Sequence, residues 1–181
     1  MLVRLASLAA ILSLAACGGS QTASSASATP AENPCGENPC GGTPAAAPGF
    51  DLPVDISTWP SWTKANAETF LSKSHQKVMV DVYVSNDHAE AYKALAGAMP
   101  VGTALVKAQH ENAGGQKGAG KSLTVMVKME AGFDPEHGDW YYGVYSYDGK
   151  KAMMEGKSDG KTAMCVNCHD TADVDYVFGS K

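Results

Sequence analysis

The chain has 181 residues, with 19 Asp and Glu against 14 Lys and Arg and a net charge of −5 at pH 7. An acidic balance with no basic stripe argues against nucleic acid as a partner. Beyond its first 49 residues the chain has the length of one ordinary domain, enough to bury a moderate core.

Residues 1–16 carry a single early positive charge, Arg4, followed by the apolar run Leu5-Ala-Ser-Leu-Ala-Ala-Ile-Leu-Ser-Leu. That pattern is a secretory signal, too short to stay in a bilayer as a spanning helix. It ends in Leu14-Ala15-Ala16-Cys17, which resembles a bacterial lipobox. The resemblance implies cleavage before Cys17 and a diacylglycerol on its sulfur. Gly18, standing where such signals can carry Asp, points to the outer membrane. Residues 17–49 are rich in Ser, Thr, Ala, Gly and Pro, cannot bury a core, and read as a disordered tether. Within the tether, Glu32-Asn-Pro-Cys-Gly is followed directly by Glu37-Asn-Pro-Cys-Gly. Cys35 and Cys40 suit a small-loop disulfide or have no role. A soft-metal site would need a histidine nearby.

Residues 50–181 form the folded domain, and its periodicity is mostly that of strands. An amphipathic helix is expected within residues 59–75, starting near Ser61. Residues 78–85 are β-branched and aromatic, a good strand. Asn86-Asp87 caps a helix over residues 89–96, which Gly97 stops. A second strand covers residues 102–110, with Thr103, Leu105 and Lys107 on one face. Residues 114–120 read as a glycine-rich turn and 122–129 as a third strand. Residues 133–138 are loop, which His137 orders, and 139–147 are a fourth strand. Its Trp140, Tyr141, Tyr142, Tyr145 and Tyr147 suit core and dimer surface better than a redox relay. Residues 148–162 are expected as loop, with a short helix or turn after them. Strand after strand with short turns implies a mainly β, α+β fold: an antiparallel sheet, a few short helices and a C-terminal haem-binding segment.

That last segment is Cys165-Val166-Asn167-Cys168-His169, a C-x-x-C-H run and the attachment signature of a c-type haem. The two thiols add across porphyrin vinyl groups, and His169 is placed to ligate the iron. A bare C-x-x-C would be open between a redox pair and half a zinc site. The adjoining histidine and the exported compartment favour haem c. The five cysteines thus divide into one lipid anchor, one tether pair and one haem pair. Small electron-transfer cytochromes c are helical and carry this motif near the front, whereas here it closes a β-rich domain. Met126, Met129, Met153, Met154 and Met164 could offer a sixth ligand, but strand methionines more often fill core. Without such a ligand one iron face is open, which suits gas binding or catalysis more than electron relay.

Five segments carry a further resemblance: Gly102-Thr-Ala-Leu-Val-Lys107, Leu123-Thr-Val-Met-Val-Lys128, Gly132-Phe-Asp-Pro-Glu-His-Gly-Asp-Trp-Tyr-Tyr142, the haem motif, and Asp175-Tyr-Val-Phe178. In order and spacing they resemble cytochrome P-460 and the related cytochromes c′-beta. The resemblance implies a periplasmic, homodimeric, mainly β protein. It also implies oxidation of hydroxylamine, alone or with nitric oxide, towards nitrous oxide, with electrons passed to an unidentified acceptor. It further implies a third covalent haem bond, from a lysine to a porphyrin meso carbon, and places that lysine at Lys107. On the residues alone, a lysine among apolar strand neighbours is costly to bury as a charge, although a strand-end lysine can snorkel and Lys128 has a similar context. A pocket carboxylate before the haem motif would serve as general base. Glu155 and Asp159 stand there, and both also read as solvated loop charges. His75, His110 and His137 are candidates in principle. Two readings compete: a hydroxylamine oxidoreductase, and a binder of nitric oxide or carbon monoxide without turnover. A membrane-tethered electron carrier is the weakest option.

Overall fold

The computed structural model describes residues 49–179. The signal, nearly all of the tether, and Cys17, Cys35 and Cys40 lie outside the described residues.

The described residues build one seven-stranded sheet in which every pairing is antiparallel. The strands are β1 (Thr63–Lys64), β2 (Phe70–Ser72), β3 (Val78–Val84), β4 (Ala104–Ala113), β5 (Gln116–Lys128), β6 (Trp140–Ser146) and β7 (Ala152–Gly156). Their order is β1-β3-β4-β5-β6-β7, and β2 pairs with β3 beside β1. Two helices complete the domain, α1 (Ala89–Ala94) and α2 (Ala163–His169). None of the described helices is long and apolar enough to cross a membrane.

Side chains alternate across a strand, so register decides what each face presents. Val82 lies opposite Lys107, Lys107 opposite Thr124, and Thr124 opposite Val144. Those residues therefore share one face with Val80, Val84, Leu105, Met126 and Tyr142. A core of Val80, Val82, Val84, Leu105, Met126, Trp140 and Tyr142 with Val166 of α2 covers that face. The other face carries Val106, Ala108, Leu123, Val125, Val127 and Tyr141, packed under Ile56, Trp59 and Trp62.

Three expectations are corrected. Residues 59–75 hold no amphipathic helix. A 3₁₀ turn, Ile56–Ser61, comes first, and β1 and β2 follow. Pro60 lies inside that turn, and Asn66 folds back to accept the Val82 amide at 2.6 Å, so β1 runs along β3 instead of coiling. Residues 148–162 are not all loop, because β7 adds there to the edge of β6. The stretch 114–120 turns only at Gly114-Gly115. The remaining residues already belong to β5.

Candidate haem site

Helix α2 is seven residues long with no side-chain N-cap bond, too short to stand alone. It is held from outside. The 3₁₀ turn Gly160–Thr162 leads into it, and the Thr162 hydroxyl donates to the Lys157 and Asp159 carbonyls. Val166 anchors its buried side in the core. Residues 165, 168 and 169 are related by three and four positions, so both thiols and the imidazole share one helical face. Cys165 is half-buried, Cys168 is exposed, and both are free thiols.

After α2 the chain folds back across the sheet through residues 170–178, and this return fixes His169. The ring Nδ1 of His169 lies 2.7 Å from the Tyr176 carbonyl oxygen. A carbonyl only accepts, so Nδ1 carries the proton and Nε2 keeps the lone pair. Burial, then the nearby Lys107 charge, push the imidazole pKa down to about 4, against the opposing Tyr176 bond. At neutral pH His169 is therefore an uncharged imidazole whose tautomer is set by its hydrogen-bond partner, the form able to ligate a metal. The return segment is itself pinned. The Asp175 carboxylate receives Lys128 Nζ at 2.8 and 2.9 Å and the Met99 amide at 2.6 Å. The Trp140 indole donates to the Asp175 carbonyl at 2.9 Å. Asp175 and Tyr176 adopt positive φ, 43° and 62°, a local strain that this pinning sustains.

Between α2 and the sheet lies a cavity of ≈ 340 Å³. Cys165, Cys168 and His169 line it from the helix, and Leu105, Lys107, Thr124, Met126, Tyr142 and Val144 line it from the sheet. The two lysines that the sequence left open now separate. Lys128 is buried but spent on Asp175 and the Gly138 carbonyl. Lys107 lines the cavity with no hydrogen-bond acceptor among the described residues, and its Nζ lies 5.9 Å from the Phe178 ring centroid. Burial lowers the Lys107 pKa, opposed by the Cys168 and Cys165 sulfurs. Burial also raises the Cys165 thiol pKa.

His75 is a residue whose place the sequence reading missed. It lines the cavity from the turn between β2 and β3, with Nδ1 2.9 Å from the Ser72 hydroxyl. Burial, with Lys107 and His169 nearby, drives its pKa down to about 4, so it is neutral at pH 7. The turn holds Gln76 and Lys77 at φ 60° and 58°, both outside glycine's usual preserve. Reading residues 70–84 as a hairpin is the signal that could have found it.

The proposed carboxylates are not in the cavity. Glu155 faces the opposite side of the sheet, where the Tyr141 hydroxyl donates to Oε2 at 2.6 Å. The period of two in β7 dictates this, since Met154 takes the cavity face and its neighbour cannot. Asp159 is exposed, and its backbone carbonyl receives Thr162. Neither residue lines the cavity as a general base there would. Met126, Met154 and Met164 do line it, whereas Met129 packs on the other face and Met153 is exposed. His137 is bonded to Asp134 and Ser158, ordering its loop as expected. His110 is buried on the opposite face, Nε2 3.3 Å from Asp81 Oδ2 but not aligned as a hydrogen bond.

The donor set fits haem. Among the described residues no three His, Cys, Asp or Glu converge to hold a bare ion. Two buried polar atoms without partners, Thr124 Oγ1 and Tyr142 Oη, belong to residues that line the cavity. Both atoms are free to pair with a group bound in the cavity. Cavity, thiol pair and tautomer-fixed imidazole together define a haem cytochrome on an antiparallel sheet. A family model described as Cytochrome P460 matches residues 57–179, and the chain belongs to that family. No curated protein matches the chain significantly.

Proposed function

We propose that this protein is a periplasmic hydroxylamine oxidoreductase of the cytochrome P-460 type, with haem c held by Cys165 and Cys168, ligated by His169 and bonded a third time through Lys107. The observation that carries this reading is the half-buried Lys107 amine, which lines the same cavity as the haem motif, with its pKa lowered by desolvation and no hydrogen-bond acceptor among the described residues. Haem bound there supplies an iron that can hold a small nitrogen substrate and take its electrons. The rest is the work of the chain. Deprotonated, the Lys107 amine is a nucleophile directed into the cavity. Tyr176 holds the imidazole in the ligating tautomer, and the apolar sheet face excludes water. Hydroxylamine must shed protons as electrons leave, and neutral His75 can accept one where no carboxylate stands. The remaining parts of the proposal are an unidentified electron acceptor, a homodimer, and a Cys17 lipid anchor at the outer membrane.

The test is turnover by holoprotein. Hydroxylamine with a one-electron acceptor should yield nitrous oxide, and Lys107→Ala should lose at least tenfold in rate. Turnover unchanged in Lys107→Ala removes the lysine from the mechanism.

One observation favours the second reading, a binder of nitric oxide or carbon monoxide. Among the described residues that line the cavity there is no Asp or Glu. Tight gas binding without any hydroxylamine consumption would establish that reading in place of the first.

A further inference from the structure

Behind the sheet, on the side away from the cavity, three polar side chains form a linear hydrogen-bonded chain. The hydroxyls of Tyr141 and Tyr145 lie 2.7 Å apart, and Tyr141 donates to Glu155 Oε2 at 2.6 Å. Both rings are buried, and Phe50 covers Tyr141 edge-on at 5.4 Å. Gly143 is one place where this cluster meets the cavity wall. A Cβ on Gly143 would lie 2.7 Å from Tyr145 Cε2 and 3.0 Å from Tyr141 Oη, and Gly143 also lines the cavity. Glycine inside a strand commonly marks such a close approach. Here it lets two phenols sit one sheet thickness from the cavity.

We propose that Tyr141, with Tyr145 and Glu155, is a redox-active site that supplies an electron to the haem when a peroxide oxidises it. The proposal rests on the haem reading above. The step balances as follows. Hydrogen peroxide takes two electrons from the haem centre and, with two protons from solvent, leaves as water. Tyr141 returns one of those electrons across Gly143. Its phenolic proton passes along the existing hydrogen bond to Oε2 of Glu155. The products are a neutral tyrosyl radical, a protonated Glu155 carboxyl, and a haem centre one electron short. A small reductant of the ascorbate class restores the tyrosine, and Glu155 gives the proton back.

The geometry favours Tyr141 over Tyr142 and Tyr145. A phenol is easily oxidised only if its proton can leave at the same moment, because a charged phenol radical in a buried site would be costly. Tyr141 has a carboxylate as direct acceptor. Tyr145 reaches Glu155 only through Tyr141, so it shares the radical without being its proton donor. Tyr142 lines the cavity but has no partner for its hydroxyl. Burial, aided by Glu155 and Tyr145, raises the Tyr141 pKa far above its ordinary value. It therefore enters the step protonated at any working pH. The proton acceptor is also why Glu155, facing away from the cavity, is not idle.

The experiment mixes ferric holoprotein with hydrogen peroxide, freezes it rapidly and records the electron paramagnetic resonance spectrum. Haem content is measured on the same sample. The expected result is a tyrosyl signal that narrows in protein grown on ring-deuterated tyrosine and falls at least tenfold in Tyr141→Phe. Glu155→Gln preserves the hydrogen bond but accepts no proton, so its radical yield should fall at least fivefold with haem content unchanged. A merely structural cluster predicts no difference in yield between that variant and the wild type. Haem-loaded protein that consumes peroxide without a tyrosyl signal, that does not react with peroxide, or whose signal survives both substitutions overturns the proposal. If Tyr141→Phe fails to fold, deuteration and Glu155→Gln decide alone. Protein without haem would instead overturn the haem reading, and this proposal with it.

Discussion

Two lysines on neighbouring strands carry the residue-scale argument. Lys128 and Asp175 form an ion pair whose side chains are 11% and 10% exposed. Removing one partner of a buried pair strands the other charge, at about 3–5 kcal/mol. Lys128→Met should therefore lower unfolding free energy by about that amount, measured by chemical denaturation. It should also loosen the return segment that supplies the carbonyl partner of His169. Lys107→Met removes an amine with no acceptor and should carry no comparable stability cost. Asp81 gives the pH dependence. Its buried carboxylate receives Thr69 at 2.7 Å, Lys64 at 3.0 Å and Lys117 more closely. Burial opposes ionisation, but these partners outweigh it and hold the pKa well below the usual carboxylate range. A depressed carboxylate stabilises the fold above its unfolded pKa, near 4, and that contribution is lost as pH falls through the folded value. Asp81→Asn should cost about 2 kcal/mol at pH 7, where ionic hydrogen bonds are lost. The gap from wild type should narrow below pH 4. A gap constant from pH 7 to pH 3 would count against the ionic account.

At the scale of elements, the strands with long β-branched or aromatic runs were legible, and the short ones were not. Residues 78–84 and 140–146 are each paired on both sides within the sheet, so pattern and tertiary demand agree. The three-residue β2 is too short to show a period of two, and its neighbours allowed a helical reading. Strand β7, Ala-Met-Met-Glu-Gly, is made largely of helix formers, and only pairing with β6 makes it a strand. Gly120 looked like turn because it is glycine. It is in a strand because the Tyr147 ring lies over it, where a Cβ would be 2.5 Å away. The haem motif and Lys107 were legible as sequence, but His75 and the orientation of Glu155 depended on register. The shortness of α2 has its own consequence. Loss of haem should unlock it, so Cys165→Ala with Cys168→Ala should speed amide exchange across Ala163–His169 at least tenfold. Strands β3 to β6 should keep their protection. Unchanged exchange in α2 would show that packing alone holds it.

For the whole molecule, the sheet separates two jobs. One face and α2 enclose the haem cavity, and the other packs Tyr141 and Tyr145 with Ile56 and Trp59 of the 3₁₀ turn at Ile56–Ser61. The proposed anchor lies outside the described residues, and its prediction is cellular: Cys17→Ser should move the protein from the membrane fraction to the soluble periplasm. Unchanged membrane association would remove the lipid anchor. The central claim is that Lys107 holds haem by a third covalent bond. Peptide mapping of purified holoprotein tests it directly, with the ferrous Soret band recorded beside it. The account predicts haem mass on the Lys107 peptide as well as on the Cys165–Cys168 peptide, and a Soret band well to the red of ordinary c-type haem. An unmodified Lys107 peptide with an ordinary Soret band would contradict it.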